Sequence, residues 1–340
     1  MGKTFPRRPF WVLAVLTLFV AAPAVGAPGL REVFGGLSIL PEVASPPSNP
    51  LTPAKVELGK TLFFDPRLSG DGSLACVSCH VPGLGWADGR AKGVGYQGKE
   101  LSRNVPSLLN AAYYVGFFHD GRAGTLEEQA LGPLFNPDEM NATASQVVST
   151  LTGIPEYRAR FQEAFGTEPS VETLGKALAA FERTLISKDS AFDRWVSGEE
   201  DALSPQAKRG LDLFTGKADC TACHKGPNFS DDKFHNIGVP GSGTRDKGRF
   251  EVTRDPDDLG AFKTPSLRNV ALTAPYMHNG SIKTLREAVK HYEEVDLDFP
   301  NLDPLIDHWG LTHEEIDAVV AFLESLTGKP PKVEAPRLPR

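Results

Sequence analysis

Cys76-Val77-Ser78-Cys79-His80 and Cys220-Thr221-Ala222-Cys223-His224 contain all four cysteines of this 340-residue sequence. Each stretch is a Cys-x-x-Cys-His motif, the pattern that attaches c-type haem covalently. Two thiols at this spacing can bond the two vinyl groups of one porphyrin, and the adjacent histidine can bind its iron. Two motifs without a spare cysteine therefore predict two covalently bound haem c groups. The predicted attachment points are Cys76, Cys79, Cys220 and Cys223, and the predicted iron ligands are His80 and His224.

A zinc cluster and a pair of disulfides are the alternatives for four cysteines. Zinc clusters seldom place a histidine directly after the second cysteine of both pairs. A bridged Cys-x-x-Cys pair is typical of redox motifs rather than of structural disulfides. The motifs therefore favour haem over both alternatives.

The N-terminus predicts export. Residues 1–26 form a signal peptide by this interpretation, since Lys3, Arg7 and Arg8 precede an apolar run from Phe10 to Ala22. The arginine pair also faintly resembles a twin-arginine signal, although such pairs are common in ordinary export signals. Haem c is attached outside the cytoplasmic membrane, so we expect a periplasmic protein with no membrane span in its mature form.

The charge balance excludes one class of partner. The formal net charge is −7, and it becomes −10 without the three basic residues of the signal. A balance of this sign argues against a nucleic-acid partner.

The two halves of the chain repeat each other. Nine positions recur at a constant separation of 159 residues, without a gap, which indicates duplication. In both copies a Thr followed by Glu three residues later predicts the start of a helix. The repeated pairs are Pro106/Pro265, Ser107/Ser266, Leu108/Leu267, Asn110/Asn269, His119/His278, Gly121/Gly280, Thr125/Thr284, Leu126/Leu285 and Glu128/Glu287.

This duplication predicts a mainly α-helical fold with two homologous c-type cytochrome domains and little β-structure. Helices should also lead into each haem motif from Pro53 and Pro205, and apolar spacing indicates further helices over 171–186 and after Thr312. We assign residues 27–200 to an N-terminal haem domain and 201–328 to a C-terminal one. The Pro-rich residues 329–340 are predicted to be a flexible tail.

The sixth iron ligands decide between electron carriage and catalysis. Electron-transfer cytochromes usually fill that position with Met or His, yet Met140 and Met277 are the only methionines after the signal. A simple dihaem electron carrier is therefore disfavoured, and open or unusual iron ligation is expected.

At this point the chain resembles the dihaem cytochrome c peroxidase and MauG superfamily of bacterial periplasmic enzymes. The resemblance runs from Leu51 to Gly328 and includes both haem motifs. Four segments look like family signatures, namely Asp120-Gly121-Arg122-Ala123, Thr125 to Gln129, Gly132 to Met140, and Leu267 to Tyr276.

The resemblance implies that hydrogen peroxide reacts at the N-terminal haem. Glu139 matches the family glutamate on the distal side, where a carboxylate can move a proton between the peroxide oxygens. Classical peroxidases of the family keep a histidine on that side at rest, and ungapped counting puts Tyr96 there instead. Tyr96 is expected to be a packing residue, so the first haem would be open, as in the MauG branch.

At the second haem the family register points to Tyr292, where peroxidases carry methionine and MauG-like enzymes carry tyrosine. A phenolate donates negative charge and stabilises oxidised iron. The neighbouring His291 is a competing ligand, because helical position alone cannot choose between adjacent residues that point about 100° apart.

His119 occupies the position where the family commonly carries an inter-haem tryptophan. We list it as a catalytic candidate by position, although a histidine is harder to oxidise than an indole. A structural role shared with His278, such as a hydrogen bond to a haem propionate, is the competing interpretation. Family resemblance also implies a calcium ion between the haems, with Asn104, Thr273 and Pro275 as its ligands.

The leading functional prediction is a periplasmic dihaem oxidoreductase that uses hydrogen peroxide. The family chemistry implies high-valent iron shared between the two haems and oxidation of aromatic residues, above all Trp, on a partner protein. The alternative is a cytochrome c peroxidase that receives electrons from a small cytochrome c or cupredoxin.

Overall fold

The computed structural model describes residues 34–340, so the predicted signal peptide lies outside the described residues. The described chain is mainly helical, and its one named sheet is an antiparallel pair of two-residue strands. The α-helices are α1 (Pro53–Phe63), α2 (Cys76–Cys79), α3 (Leu126–Phe135), α4 (Ala144–Gly153), α5 (Pro155–Phe165), α6 (Val171–Glu182), α7 (Ala191–Val196), α8 (Pro205–Thr215), α9 (Phe250–Thr253), α10 (Leu285–Glu294) and α11 (His313–Ser325). The strands are β1 (Phe234–His235) and β2 (Phe262–Lys263).

Short 3₁₀ turns connect these elements. They span Phe34–Gly36, Pro66–Leu68, Pro82–Leu84, Tyr96–Gly98, Ala111–Tyr113, Glu200–Ala202, Cys220–Ala222, Pro256–Asp258 and Val270–Leu272. The predicted mainly helical class with two domains is confirmed. None of the described helices is both long and apolar enough to cross a membrane.

Side-chain caps start the repeated helices where the sequence predicts them. Thr284 accepts a hydrogen bond from the N–H of Glu287, whose carboxylate accepts one from the N–H of Thr284, so α10 has a full capping box. Thr125 caps α3 in the same way. The carboxylate of Glu128, however, accepts from the N–H of Gly124, one residue earlier. Helix α10 in the second half therefore has a reciprocal capping box, whereas in α3 the glutamate binds the residue before the cap.

Each half contains a close helix crossing at a glycine. Gly59 of α1 packs against the backbone of Ala177 on α6, and Gly210 of α8 packs against that of Ala318 on α11. A Cβ at either glycine would collide with the facing carbonyl oxygen. These crossings bring the helix before each haem motif against a long partner helix, and each anchors one of the two large hydrophobic cores.

Gly59→Ala is expected to destabilise the N-terminal half by roughly 1–3 kcal/mol, because overpacking forces two helix backbones apart. Thermal and denaturant unfolding of the haem-loaded protein measures this. Gly153→Ala at the end of α4 is the matched control, since a Cβ there meets no atom within 4 Å. Equal losses in both variants would contradict the account of the crossing.

The domains face each other with reciprocal contacts from the repeated segments. The N–H of Asn104 donates to the carbonyl of His278, and the N–H of Lys263 donates to the carbonyl of His119, both over 2.8 Å. Asn104 and Lys263 are themselves 159 residues apart, as are the two histidines. The duplication is therefore visible as an approximate two-fold arrangement at the interface.

An ion-pair bridge reinforces that interface. Arg103 donates from Nε and Nη2 to the two carboxylate oxygens of Asp246 over 2.7 and 2.8 Å, and from Nη1 to Asp120 over 2.7 Å. All three side chains are mostly buried. Planar two-point contacts of this kind fix orientation as well as distance.

Two boundaries can be compared with the sequence pattern. Helix α6 ends at Glu182 rather than Ile186, because the N–H groups of Thr184 and Leu185 donate three residues back instead of four, to Phe181 and Glu182. Phe192 and Val196 of α7 pack in the C-terminal core although they precede residue 201. The boundary after residue 200 stays a prediction.

The C-terminal tail lies along the N-terminal half. Val333 packs against its core, and Arg67 donates a hydrogen bond to the carbonyl of Pro339 over 3.0 Å. The predicted flexibility of residues 329–340 stays a prediction.

Candidate dihaem site

One cavity of about 1000 Å³ lies between the two halves. Both Cys-x-x-Cys-His motifs contribute to its wall. The cysteines are unpaired thiols, so the motifs do not form disulfides. Among the lining residues are Cys76, Cys79, His80, Cys220, Cys223, His224, Glu139, Tyr292, His119, Asn104, Thr273 and Pro275, so the fold brings the predicted site residues to one cavity.

The two motif histidines have equivalent hydrogen bonds. Nδ1 of His80 donates to the carbonyl of Trp86 over 3.1 Å, and Nδ1 of His224 donates to that of Phe229 over 3.0 Å. A carbonyl can only accept, so in the neutral ring Nε2 carries the lone pair that a metal needs. Burial lowers the pKa of both imidazoles and favours this neutral form. The arrangement fits two proximal iron ligands.

Tyr292 and His291 have different surroundings. Nε2 of His291 lies 2.8 Å from the carbonyl of Ile237, to which it donates, and this ring is not part of the cavity wall. Tyr292 lines the cavity beside the second motif, and its hydroxyl has no hydrogen-bond partner among residues 34–340. Burial raises the pKa of Tyr292 well above its usual range, so the phenolate form would require a bound cation.

Around the first motif, Glu139 and Asp138 both line the cavity, but their carboxylates differ in burial and partners. Glu139 faces the cavity, its Oε1 accepts a hydrogen bond from Asn136 over 2.9 Å, and burial raises the pKa of its carboxyl. The carboxylate of Asp138 is about half exposed, at 48 %, and pairs with Lys99. Tyr96 is not part of the cavity wall.

His119 and His278 lie close together at the domain interface. Nε2 of His119 donates to the carbonyl of Asn104 over 3.0 Å, and His278 stacks on Phe262 with ring centroids 3.7 Å apart. Burial lowers the pKa of each imidazole to about 4, so both are neutral at pH 7. Nδ2 of Asn104 donates to the carbonyl of Arg90 over 2.7 Å, and no group within residues 34–340 donates to its Oδ1.

The sequence pattern did not reveal the role of three further polar groups in the wall. Gln129, on α3, also lines the cavity. Nδ1 of His235 donates to Asp303 over 2.6 Å, and its Nε2 donates to Asp231 over 3.1 Å. Two carboxylate acceptors require a doubly protonated ring. Such an imidazolium cannot bind a metal, although its ligand atom lies within 4.8 Å of those of Cys223 and Asp231.

Glu182 is the third of these groups. It is 4 % exposed, its Oε2 has no hydrogen-bond partner in the described chain, and it faces the cavity near Cys76. In the equivalent crossing of the second half, Leu323 follows Phe322 as Glu182 follows Phe181. Burial raises the pKa of Glu182 to about 8, against a weaker opposing effect of Arg183. The first half therefore has a carboxyl at the position where the second half has an apolar side chain.

Glu182→Gln is expected to flatten the pH dependence of stability. Because the folded-state pKa is about 8 and the ordinary value is 4.5, folding takes up a proton between those pH values. As the pH rises through this range, the wild-type free energy of unfolding should therefore fall by up to about 1.4 kcal/mol per pH unit relative to that of the variant. Denaturant unfolding at pH 5, 6, 7 and 8 measures the difference. Parallel curves for the two proteins would show that Glu182 is not a buried neutral acid.

A mainly helical chain that directs two neutral histidines and two thiol pairs into one interdomain cavity defines a dihaem c-type cytochrome. The sequence profile described as "Di-haem cytochrome c peroxidase" matches residues 53–201, and that described as "Cytochrome c" matches residues 207–327. The chain therefore belongs to the dihaem cytochrome c peroxidase and MauG family. It is a dihaem oxidoreductase that uses hydrogen peroxide, and its cofactor is haem c.

Named relatives come from both branches of this family. The chain is 44 % identical to the methylamine utilization protein MauG of Methylorubrum extorquens, over 87 % of this chain and 85 % of that protein. It is 40 % identical to the cytochrome-c peroxidase IdrP1 of Denitromonas iodatirespirans, over 96 % of each. Among solved structures, a MauG-like protein associated with microbial copper homeostasis superposes with a TM-score of 0.77 at 35 % identity, covering 85 % of this chain and 95 % of that one.

Proposed function

We propose that this protein is a MauG-like enzyme that uses hydrogen peroxide to oxidise aromatic side chains, above all tryptophan, of a partner protein. The single observation that carries this proposal is Tyr292, which lines the cavity beside the second motif where peroxidases of the family would carry methionine. When bound, the haems supply redox-active iron that accepts the oxidising equivalents of peroxide. The reaction removes two electrons from the partner and converts peroxide and two protons into two waters.

Glu139 handles protons in this proposal. Its carboxylate takes a proton from one peroxide oxygen and delivers it to the departing oxygen, which leaves as water. Burial favours this exchange because the raised pKa of the carboxyl brings it closer to neutral pH. The hydrogen bond from Asn136 holds one oxygen of Glu139, so the other remains available to the substrate.

Tyr292 and the motif residues hold the cofactors. Cys76, Cys79, Cys220 and Cys223 would form the thioether bonds, and His80 and His224 would bind the two irons. The Tyr292 oxygen would be the sixth ligand of the second haem, where its negative charge favours oxidised iron.

His119 is assigned a positioning role between the haems. Its neutral ring is held by the carbonyl of Asn104, and the positive charges of Arg103 and Lys263 also lower its pKa. A hydrogen bond from this region to a haem propionate would fix the relative orientation of the cofactors.

Three finer parts of the proposal rest on the family and the sequence. Asn104, Thr273 and Pro275 would contribute oxygen ligands to a calcium ion between the haems, and the free Oδ1 of Asn104 suits such a hard cation. The signal-like residues 1–26 and the haem motifs support action in the periplasm. The partner is a protein, in keeping with the docking that long-range electron removal requires.

Reaction of the fully ferric protein with one equivalent of peroxide tests this function. The proposal predicts a rapid Soret change without prior reduction and slow turnover with reduced cytochrome c. The alternative, a cytochrome c peroxidase supplied by a small cytochrome or cupredoxin, is favoured by the similarity to a named peroxidase. It predicts an inert ferric protein that turns over rapidly after one-electron reduction.

A further inference from the structure

The segment Glu293–Gly310, here called the acidic loop, follows directly after Tyr292. It contains six carboxylates and no lysine or arginine. Gly310 donates its N–H to the carboxylate of Glu293 over 2.9 Å, so the two ends of the loop are tied together. Both ends of the loop therefore lie next to Tyr292, the predicted ligand of the second haem.

One side of the acidic loop faces the cavity. Leu305, Ile306 and Trp309 line its wall, and the Trp309 ring lies 6.1 Å from that of Tyr292 between centroids. Leu305 is nevertheless 50 % exposed and Trp309 is partly exposed. These side chains thus connect the surroundings of Tyr292 with the protein surface.

The acidic loop also carries three aspartates whose negative charge is not neutralised by an ion pair within the described residues. Nε2 of His308 donates to the carbonyl of Val295 over 2.8 Å, so the stretch that contains Asp307 lies beside the stretch that contains Asp296. Asp298 donates its N–H to Asp296 and joins this group. All three aspartates are exposed, and none has an ion-pair partner within residues 34–340. The loop that exposes Leu305 and part of Trp309 therefore also exposes three carboxylates that are outside any ion pair of the described chain.

We propose that the acidic loop is the docking surface for a basic partner protein, with Trp309 as the point of electron transfer to the second haem. This inference rests on the proposed function. An apolar centre with a charged rim is typical of transient protein interfaces, and the charge requires a partner rich in lysine or arginine. A second copy of this chain, with its net charge of −7, would be repelled. Nucleic acids and anionic membranes carry the wrong sign.

The redox step balances with the peroxide reaction. Each docking transfers one electron from the partner through Trp309 toward the Tyr292 side of the cavity. Two such transfers, with two protons from water, match the reduction of one hydrogen peroxide to two waters. The electron source on the partner is either a redox centre or an oxidisable aromatic residue, and both use the same contact surface.

A lysine-rich cytochrome c serves as the probe for docking. Its ferric form should bind the haem-loaded wild-type protein by calorimetry at 20 mM ionic strength, and binding should weaken strongly at 200 mM. The triple variant Asp296→Asn, Asp298→Asn and Asp307→Asn is expected to bind at least about 10-fold more weakly and to lose most of this salt dependence. Glu42→Gln, Glu163→Gln and Asp212→Asn form the matched control, because these exposed groups have no partner among the described residues and remove the same charge.

Trp309→Phe separates docking from electron transfer. It should weaken binding of the ferric probe far less than the triple variant does, because Phe keeps the contact apolar, while the limiting rate at which the peroxide-treated protein oxidises the ferrous probe falls at least about 10-fold. Equal binding by wild type and the acidic-loop triple variant would overturn the docking surface. An unchanged limiting rate in Trp309→Phe would overturn the electron-transfer point. An absent Soret change with peroxide would instead reject the proposed function, since that reaction occurs before any docking.

Discussion

Glu139→Gln is expected to slow the reaction of the first haem with hydrogen peroxide by roughly 100- to 10,000-fold, the range typical of losing a general acid–base group. The amide keeps the size of the side chain and can still contact Asn136, but it cannot accept and return a proton. Stopped-flow absorption at the Soret band measures the rate, with peroxide in excess. The haem content and the ferric spectrum should be unchanged.

The pH dependence of the peroxide reaction provides a second test of Glu139. The carboxylate form is the active base, and burial raises its pKa above the ordinary 4.5. The wild-type rate should therefore fall as the pH is lowered through that raised pKa, whereas Glu139→Gln should show no such step. Asp138→Asn is the matched control, because its carboxylate lies at the surface in an ion pair with Lys99. Equal losses in the two variants would remove the basis for assigning Glu139 as the proton carrier.

Tyr292→Met is expected to raise the reduction potential of the second haem by a few hundred millivolts, within the roughly 0.8 V that axial ligands span. Methionine is a neutral ligand that favours reduced iron, whereas phenolate stabilises the oxidised state. Spectropotentiometric titration of the haem-loaded protein measures the change directly. With its second haem easier to reduce, this variant should gain turnover with reduced cytochrome c and lose reactivity in the fully ferric state.

His291→Gln distinguishes the two adjacent candidates. The ring of His291 is occupied by the carbonyl of Ile237, so its replacement should leave the potential of the second haem close to that of the wild type. A large shift in His291→Gln together with no shift in Tyr292→Met would assign the ligand to the histidine. Both variants keep the capped start of α10, since Thr284 and Glu287 are unaffected.

The helices and their register were accessible from the sequence because local signals specify them. Thr125 and Thr284 cap helices at the predicted residues, and the 159-residue repeat correctly anticipates matching elements in both halves. The same repeat indicated a shared role for His119 and His278. Their reciprocal backbone contacts with Lys263 and Asn104 support that view.

What the sequence could not resolve depends on tertiary neighbours. The carbonyl that occupies the ring of His291, and so supports Tyr292 as the proposed ligand, lies 54 residues away, where no helical pattern could reveal it. From the sequence, Glu182 is an ordinary polar residue at the end of an amphipathic helix, and its burial in the cavity wall becomes visible only in the folded chain. The ion pair of Arg103 with Asp246 likewise joins two domains and has no local signature.

Electron paramagnetic resonance of the fully ferric protein, before and after one equivalent of hydrogen peroxide, tests the central claim most directly. If the two haems share both oxidising equivalents and Tyr292 is a ligand of the second, the ferric signals of both should fall together without prior reduction. A ferric protein that responds only after one-electron reduction would place it with the classical peroxidases. Two low-spin signals indifferent to peroxide in either state would contradict the assignment of this cavity as a peroxide-reactive site.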